Sequence, residues 1–347
     1  SAIKQLHEHG IEVKILSGDN DAVVQTIARQ VGIETRNALT GPQFEAMEEE
    51  EQRQAVCKTN VFSKLTPIQK TQIIMLLQEQ QNTVGFLGDG INDAAALRQS
   101  DIGISVDSAV DIAKESADII LLEKDLMVLE DGVLEGRKTF GNITKYIKMT
   151  ASSNFGNMFS VMAASAFLPF LPMLPIHLLI QNLLYDISQT TIPFDRMDAD
   201  YLRKPRKWDA SDISRFMIFI GPISSIFDIV TYLVMWYVFS CNSVEHQTLF
   251  QSGWFIEGLL SQTLIVHMIR TQKIPFIQSC ASWQVTGLTV LIMVIGIIIP
   301  FSPFGTSIGL EPLPLSYFPW LVGILLSYCV LTQMIKNWYI KRFVKWL

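Results

Sequence analysis

Beyond residue 149 the chain alternates long apolar stretches with short polar connections, and this most limits what it can fold into. Six stretches stand out: residues 150–172, 175–194, 215–239, 248–268, 284–301 and 316–336. Each is near the roughly 20 residues an α-helix needs to cross hydrocarbon. Such segments fold as helices in a bilayer, because each backbone polar group must find its partner within the segment. The preceding part is different. Residues 1–148 hold 23 of the 33 acidic and 15 of the 27 basic side chains, leaving 10 and 12 for residues 149–347. The pattern predicts an acidic α/β domain over 1–125, a helical stalk over 126–149 and a membrane domain of six helices over 150–347.

Basic side chains orient the spans. The connection Arg196–Arg215 carries six, Arg270 and Lys273 mark the next on that side, and Lys336, Lys341, Arg342 and Lys345 lie at the end. The opposite connections, near residues 169–175, 240–253 and 300–319, carry none. The soluble domain and the carboxyl terminus are therefore expected in the cytoplasm. An acidic soluble part argues against nucleic acid as a partner. The four scattered cysteines, Cys57, Cys241, Cys280 and Cys329, argue against a disulfide framework or a soft-metal thiolate site.

Within the soluble part, apolar runs alternate with helical patterns. Strands are expected over 11–16, 60–62, 83–87, 102–106 and 118–122, and helices over 21–31, 67–80, 92–98 and 109–116. This alternation predicts one parallel, doubly wound sheet with its site beyond the carboxyl ends of the strands. Polar motifs fall at those ends. Gly88-Asp89-Gly90-Ile91-Asn92-Asp93 brings two carboxylates and an amide to one turn, a donor set suited to Mg²⁺. Ser17-Gly18-Asp19 can offer a hydroxyl and backbone N–H groups to a phosphoryl oxygen. Lys70, in the first turn after Pro67, can act there as a point charge.

The spans also hold polar groups, which are costly in hydrocarbon and mark ion paths or interhelical hydrogen bonds. Asn154 and Asn157 share a helical face, and Asn182, Tyr185 and Asp186 are read as sharing another. Asp228 and Glu257 are further intramembrane acids, evenly balanced between ion path and structural pairing. His177 and His267 fall near span ends and are expected at the interface.

In order, Ser17-Gly18-Asp19-Asn20, Pro67-x-x-Lys70 and Gly88-Asp89-Gly90-x-Asn92-Asp93-Ala94-x-Ala96-Leu97 resemble the phosphorylation domain of P-type ATPases, a member of the haloacid-dehalogenase superfamily with a Rossmann-like fold. The resemblance implies that Asp89 and Asp93 bind the catalytic Mg²⁺ with Asn92 beside them. It implies that Lys70 stabilises an aspartyl phosphate and that Ser17, Gly18 and Asp19 hold the phosphoryl group. Ser17 stands where the family usually has Thr. Asn154-x-x-Asn157 and Asn182-x-x-Tyr185-Asp186 resemble the fifth and sixth helices of P-type cation pumps, so the six spans would correspond to helices five to ten. Calcium pumps carry an acid where Asn157 stands, which argues for a different ion or one fewer. The stretch from Leu174 to Gln189, Pro193-Phe194-Asp195 and Glu311-Pro312-Leu313-Pro314-Leu315 resemble bacterial magnesium-transporting P-type ATPases.

The function implied is ATP-driven Mg²⁺ import across the bacterial inner membrane through an aspartyl phosphate. The candidate transported-ion ligands are Asn154, Asn157, Asn182, Tyr185 and Asp186, with Asp228 and Glu257 as weaker ones. Alternatives are a pump for Ca²⁺ or another hard cation, a truncated non-catalytic membrane subunit, and a membrane-anchored phosphatase. The family's nucleophile lies in an Asp-Lys-Thr-Gly motif, which this sequence does not contain. The chain is thus expected to be the carboxyl-terminal portion of a pump. Its partners would be the bilayer and the preceding portion of the pump, which would supply the nucleophile and most of the ATP contacts.

Overall fold

The computed structural model describes residues 2–347. The chain forms two compact units, one running to Gly136 with Arg203–Pro205, the other comprising Arg137–Leu202 and Arg206–Leu347.

In the first unit the strands are β1 (Ile15–Leu16), β2 (Leu39–Thr40), β3 (Val61–Ser63), β4 (Gly85–Leu87), β5 (Ile102–Val106) and β6 (Ile119–Leu121). All pair in parallel, as expected, but they do not form one sheet. They make two three-stranded sheets, ordered β1-β3-β2 and β4-β5-β6. β1 is short. Only Ile15 and Leu16 pair with β3, opposite Val61 and Phe62. The residue before them, Lys14, spends its ammonium on the Thr59 carbonyl at 2.8 Å and on the Asn60 side chain at 3.1 Å. The two sheets share apolar contacts all the same. Leu16 packs both on the cluster of Phe86, Leu97 and Ile104 and on that of Phe44, Phe62 and Leu76.

Local chemistry ends and starts the helices that follow the strands. Asn20 caps helix Asp21–Val31 by accepting from the Ala22 N–H, and Gly32 closes it at φ 86°, which glycine adopts without a side-chain clash. Thr66 and Gln69 form a capping box at the start of Pro67–Glu79, with Pro67 in the first turn. The acidic run Glu49–Glu51 opens helix Glu49–Lys58, where carboxylates favour the positive end of the helix dipole.

The second unit contains most of helix Leu126–Phe167, followed by Pro175–Gln189, Ala210–Leu233, Gln247–Ile269, Trp283–Ile298 and Tyr317–Phe343. Helices therefore stand at all six expected places. Three of them, Ala210–Val238, Trp283–Phe301 and Tyr317–Phe343, are long and apolar enough to cross a membrane. Pro175–Gln189 has only 15 residues, and Gln247–Ile269 carries Gln251, Glu257 and Gln262 along an almost wholly buried length. Among the described residues, length and composition alone mark these three as spans. Leu126–Phe167 packs closely on Ala210–Leu233. A Cβ on Gly156 would lie 2.7 Å from the Gly221 carbonyl oxygen, and Ser225 donates to the Gly156 carbonyl at 3.0 Å.

His177 and His267 are buried within the second unit. The partners that draw them inward come from distant parts of the chain. His177 Nδ1 accepts from the Leu174 N–H, which leaves Nε2 to donate to the Ile308 carbonyl at 2.6 Å. His267 Nε2 meets the Thr289 hydroxyl at 2.8 Å.

A buried ionic cluster joins several helix ends. One Asp195 oxygen accepts from Lys145 at 2.7 Å and from Arg270 at 2.8 Å, and the other accepts from the Ser282 N–H at 3.1 Å. All three charged side chains are at most 2% exposed. Burial pushes the Asp195 carboxyl up, but Lys145 and Arg270 outweigh it and hold the group below the usual carboxylate range. Its stabilisation is therefore present above the unfolded-state value, about 4, and is lost as pH falls through the lower folded one. Asp195→Ala should strand two buried cations and remove about 3–5 kcal/mol of stability. Thermal unfolding of the detergent-solubilised protein measures this, and an unchanged midpoint would show that the cluster contributes nothing.

Candidate functional site

In the first unit the carboxyl ends of β1 and β4 open onto a cavity of about 600 Å³. Its lining includes Ser17, Gly18, Asp19, Lys70, Asp89, Asn92 and Asp93. The seven candidate site residues of the soluble part thus line one cavity.

The loop after β1 is held from below. The Lys64 N–H donates to the Asp19 carbonyl at 2.9 Å, and the Leu65 N–H donates to the Ser17 carbonyl at 3.0 Å. Ser17 donates its hydroxyl to Asp19 Oδ2 at 3.0 Å, and the Asp19 N–H returns a bond to Ser17 Oγ at 3.1 Å. Asp21, one turn on, accepts from Ser63 at 2.6 Å and from Gln25 at 2.8 Å; these bonds hold its carboxyl below the usual range.

The loop after β4 is built on close approach. A Cβ on Gly88 would lie 2.6 Å from Asp93 Cβ, so only glycine lets Asp93 fold back over the strand end. Asp93 then accepts from Lys70 at 2.8 Å and from the Gly90 N–H at 3.2 Å, with Lys70 and Asp93 only 11% and 13% exposed. Ser105 on β5 donates to the Gly88 carbonyl at 2.9 Å and anchors the turn to its neighbouring strand. Asp89 stands more openly and accepts from Lys124 at 3.1 Å. Lys124 was not anticipated. Its only sequence signal is its place just after β6, at the same end of the parallel strands.

The donors suit a hard divalent cation. Asp89 and Asp93 offer carboxylate oxygens beside the Asn92 amide, and the glycines keep Cβ atoms out of the way. Among the described residues no group of three or more His, Cys, Asp or Glu could hold a metal. Mg²⁺ is compatible with so few protein ligands, because water and phosphate oxygens complete its shell. Lys70 and Lys124 balance the two carboxylates in this arrangement.

The polar groups of the second unit are placed less uniformly. Asn154 is exposed and Asn157 half-buried. The buried stripe of Pro175–Gln189 runs through His177, Gln181, Tyr185, Ser188 and Gln189. Tyr185 therefore turns inward, whereas Asn182 and Asp186, each one position after a buried residue, are exposed. The single face expected for Asn182, Tyr185 and Asp186 is split, because the helical period carries Tyr185 around to the core side. Among the described residues Asn154, Asn157, Asn182 and Asp186 make no side-chain hydrogen bond. Asp228 and Glu257 are instead buried, at 1% and 0% exposure.

Two family descriptions match. "Haloacid dehalogenase-like hydrolase" covers residues 1–101, and "Cation transporting ATPase, C-terminus" covers residues 170–338. The chain is 67% identical over 345 residues to the magnesium-transporting ATPase, P-type 1, of Salmonella typhimurium, and 60% identical over 342 residues to that of Escherichia coli K12. Each match covers 99% of this chain and 38% of the relative. An endoplasmic reticulum calcium ATPase of Aspergillus fumigatus is 32% identical over 251 residues, 69% of this chain and 26% of that protein.

The chain belongs to the P-type cation-transporting ATPases. It spans 38% of the length of the two bacterial relatives. Membership joins a haloacid-dehalogenase-like domain to a multi-pass membrane region, in agreement with the two units and the apolar helices. In this chain the Gly88 turn is sterically tight, so Gly88→Ala should displace Asp93 and cost about 1–3 kcal/mol. Gly132→Ala, on a helix with nothing within 4 Å of the added Cβ, should be neutral or stabilising. Comparing the two midpoints in thermal unfolding checks the pair.

Proposed function

We propose that this chain supplies the phosphate-handling site and part of the ion path of an ATP-driven Mg²⁺ importer of the bacterial inner membrane. The observation that carries the reading is the convergence of three separate motifs on one cavity at the carboxyl ends of parallel strands. The two bacterial relatives are named for magnesium transport, which supports Mg²⁺ over Ca²⁺ as the cargo.

In this reading Asp89 and Asp93, with Asn92, hold the catalytic Mg²⁺, which when bound supplies positive charge at the phosphoryl oxygens. Lys70 adds a fixed charge, and Ser17, Gly18 and Asp19 orient the phosphoryl group. The nucleophilic Asp and most of the ATP contacts belong to the rest of the longer protein. β1 and β4 are edge strands of their sheets beside the cavity. A further parallel strand inserted there would deliver its carboxyl end to Ser17 and Asp89. The other membrane-spanning segments of the whole pump would cover Asn154, Asn157, Asn182 and Asp186. The six helices act as six spans, with residues 1–125 and the carboxyl terminus in the cytoplasm and residues 126–149 as the connecting stalk.

Two outcomes test this. In the full-length protein, Asp186→Ala should lower Mg²⁺-stimulated ATP hydrolysis at least about tenfold, with a raised apparent KM for the stimulating ion. Turnover equal to wild type would sink the ion path, and stronger stimulation by Ca²⁺ would reassign the cargo. The chain as it stands should form no hydroxylamine-sensitive phosphoprotein from ATP. Labelling of the chain alone would overturn the division of labour.

A further inference from the structure

The two carboxylates of the cavity are held in different ways. Asp93 packs against Gly88, keeps both Lys70 and the Gly90 N–H, and is left 13% exposed. Asp89 has a fixed backbone, since its carbonyl accepts from the Val110 N–H at 3.2 Å, but its side chain stands 57% exposed. Among the described residues only the Lys124 ammonium bonds that carboxylate, at 3.1 Å from Oδ2, and the Lys124 side chain is itself 70% exposed. The root of Lys124 is nevertheless anchored. It stands between β6 and helix Leu126–Phe167, where Asp125 accepts from the Met127 N–H at 2.8 Å and gives its own N–H to the Glu123 carbonyl at 2.9 Å. Leu121 before it is buried in the cluster of Phe86 and Leu97, and Leu126 after it packs on the cluster of Val24 and Ala28.

Such a pair is poised for exchange. An ammonium on an exposed carboxylate is held weakly, because water competes for both groups and a long side chain must be kept in one geometry. Lysine carries a compact, strongly hydrated charge on a flexible four-carbon stem, so its head can return to water while its root stays fixed. A divalent cation at Asp89 and the Lys124 ammonium are then rivals. The two oxygens of one carboxylate share a carbon atom, so a cation on either stands within a few ångströms of the ammonium, and their repulsion is only partly screened. Lys70 is placed otherwise. It is 11% exposed and reaches Asp93 from helix Pro67–Glu79, so water cannot take up its charge in the same way.

We propose that Lys124 is a positioning residue of this site: a tethered counter-ion of Asp89 that exchanges with the divalent cation and so sets the metal concentration at which the site loads. The proposal rests on the reading of Asp89 as a metal ligand. Exchange leaves a positive charge beside Asp89 before and after loading, so the carboxylate does not repel an approaching phosphoryl group at either stage. Rotation of the Lys124 side chain is enough to make the exchange, since the turn that carries it is clamped on both sides. The displaced ammonium stays tethered near the same oxygen and competes for it again when the metal leaves.

The test uses the full-length protein in detergent and needs no turnover. Mn²⁺, which takes similar oxygen ligands, is titrated and followed by electron paramagnetic resonance, and the isotherm of Asp89→Asn is subtracted to isolate the cavity. Lys124→Met should tighten that component about two- to fivefold, the range expected for loss of an exposed ion pair, and Lys124→Arg should restore the wild-type value. Acylation of Lys124 by an N-hydroxysuccinimide ester, read by peptide mass spectrometry, should speed up about two- to fivefold as Mg²⁺ fills the site. In Asp89→Asn it should be fast from the start and indifferent to Mg²⁺. Unchanged or weaker Mn²⁺ binding in Lys124→Met, or wild-type acylation that ignores Mg²⁺, overturns the proposal. If Asp89→Asn removes the Mn²⁺ component and Lys124→Met does not tighten it, the metal-site reading stands and the proposal alone falls. If Asp89→Asn leaves Mn²⁺ binding whole, both fall together.

Discussion

A carboxylate removed from water must be surrounded by charge and donors, and Asp195 meets that demand by drawing on four separate elements. Lys145 comes from Leu126–Phe167, Arg270 from the end of Gln247–Ile269, and the Ser282 N–H from the cap of Trp283–Ile298, while Asp195 itself follows Pro175–Gln189. Nearby, Lys148 bonds Asp212 and the Trp346 carbonyl, and Lys336 bonds the carbonyls of Met268, Thr271 and Lys273. Apolar packing alone lets helices slide. A charge with so few acceptable partners fixes which helix ends meet and at what height.

The first unit solves a different problem, that of gathering like charges without burying them unpaired. Asp93 is balanced by Lys70 and Asp89 by Lys124, while backbone N–H groups and a serine hydroxyl fill the remaining acceptor capacity. The backbone of the site is preorganised by short strands, tight turns and capped helices, and two long side chains, Lys70 and Lys124, reach in to balance its carboxylates.

What was legible in the sequence divides along the same line. The motifs that line the cavity could be read because their chemistry is contiguous: Gly88, Gly90 and Asp93 lie within one turn. Helix Asp21–Val31 and strand β5 fall where the sequence placed them. The division into two sheets could not be read, since pairing depends on which strands lie side by side. The burial of His177 and His267 was hidden for a similar reason, because Ile308 and Thr289 lie far along the chain. The inward turn of Tyr185 came from a stripe of neighbours that a pairwise spacing argument ignores. Lys124 carried no motif at all.

The near-contact of Gly156 with Gly221 has a mechanical meaning. With the two main chains close, Ser225 bonded across the seam, and the Ser224 and Phe155 side chains packed against the glycines, there is little slack to absorb a twist. Any rotation of one helix about its long axis would drive a Cα into the neighbouring main chain. The two helices must therefore move as a geared pair, or slide along their common groove. Whatever torque reaches Leu126–Phe167 is handed on to Ala210–Leu233, and with it to the carboxylate of Asp228, two turns farther along.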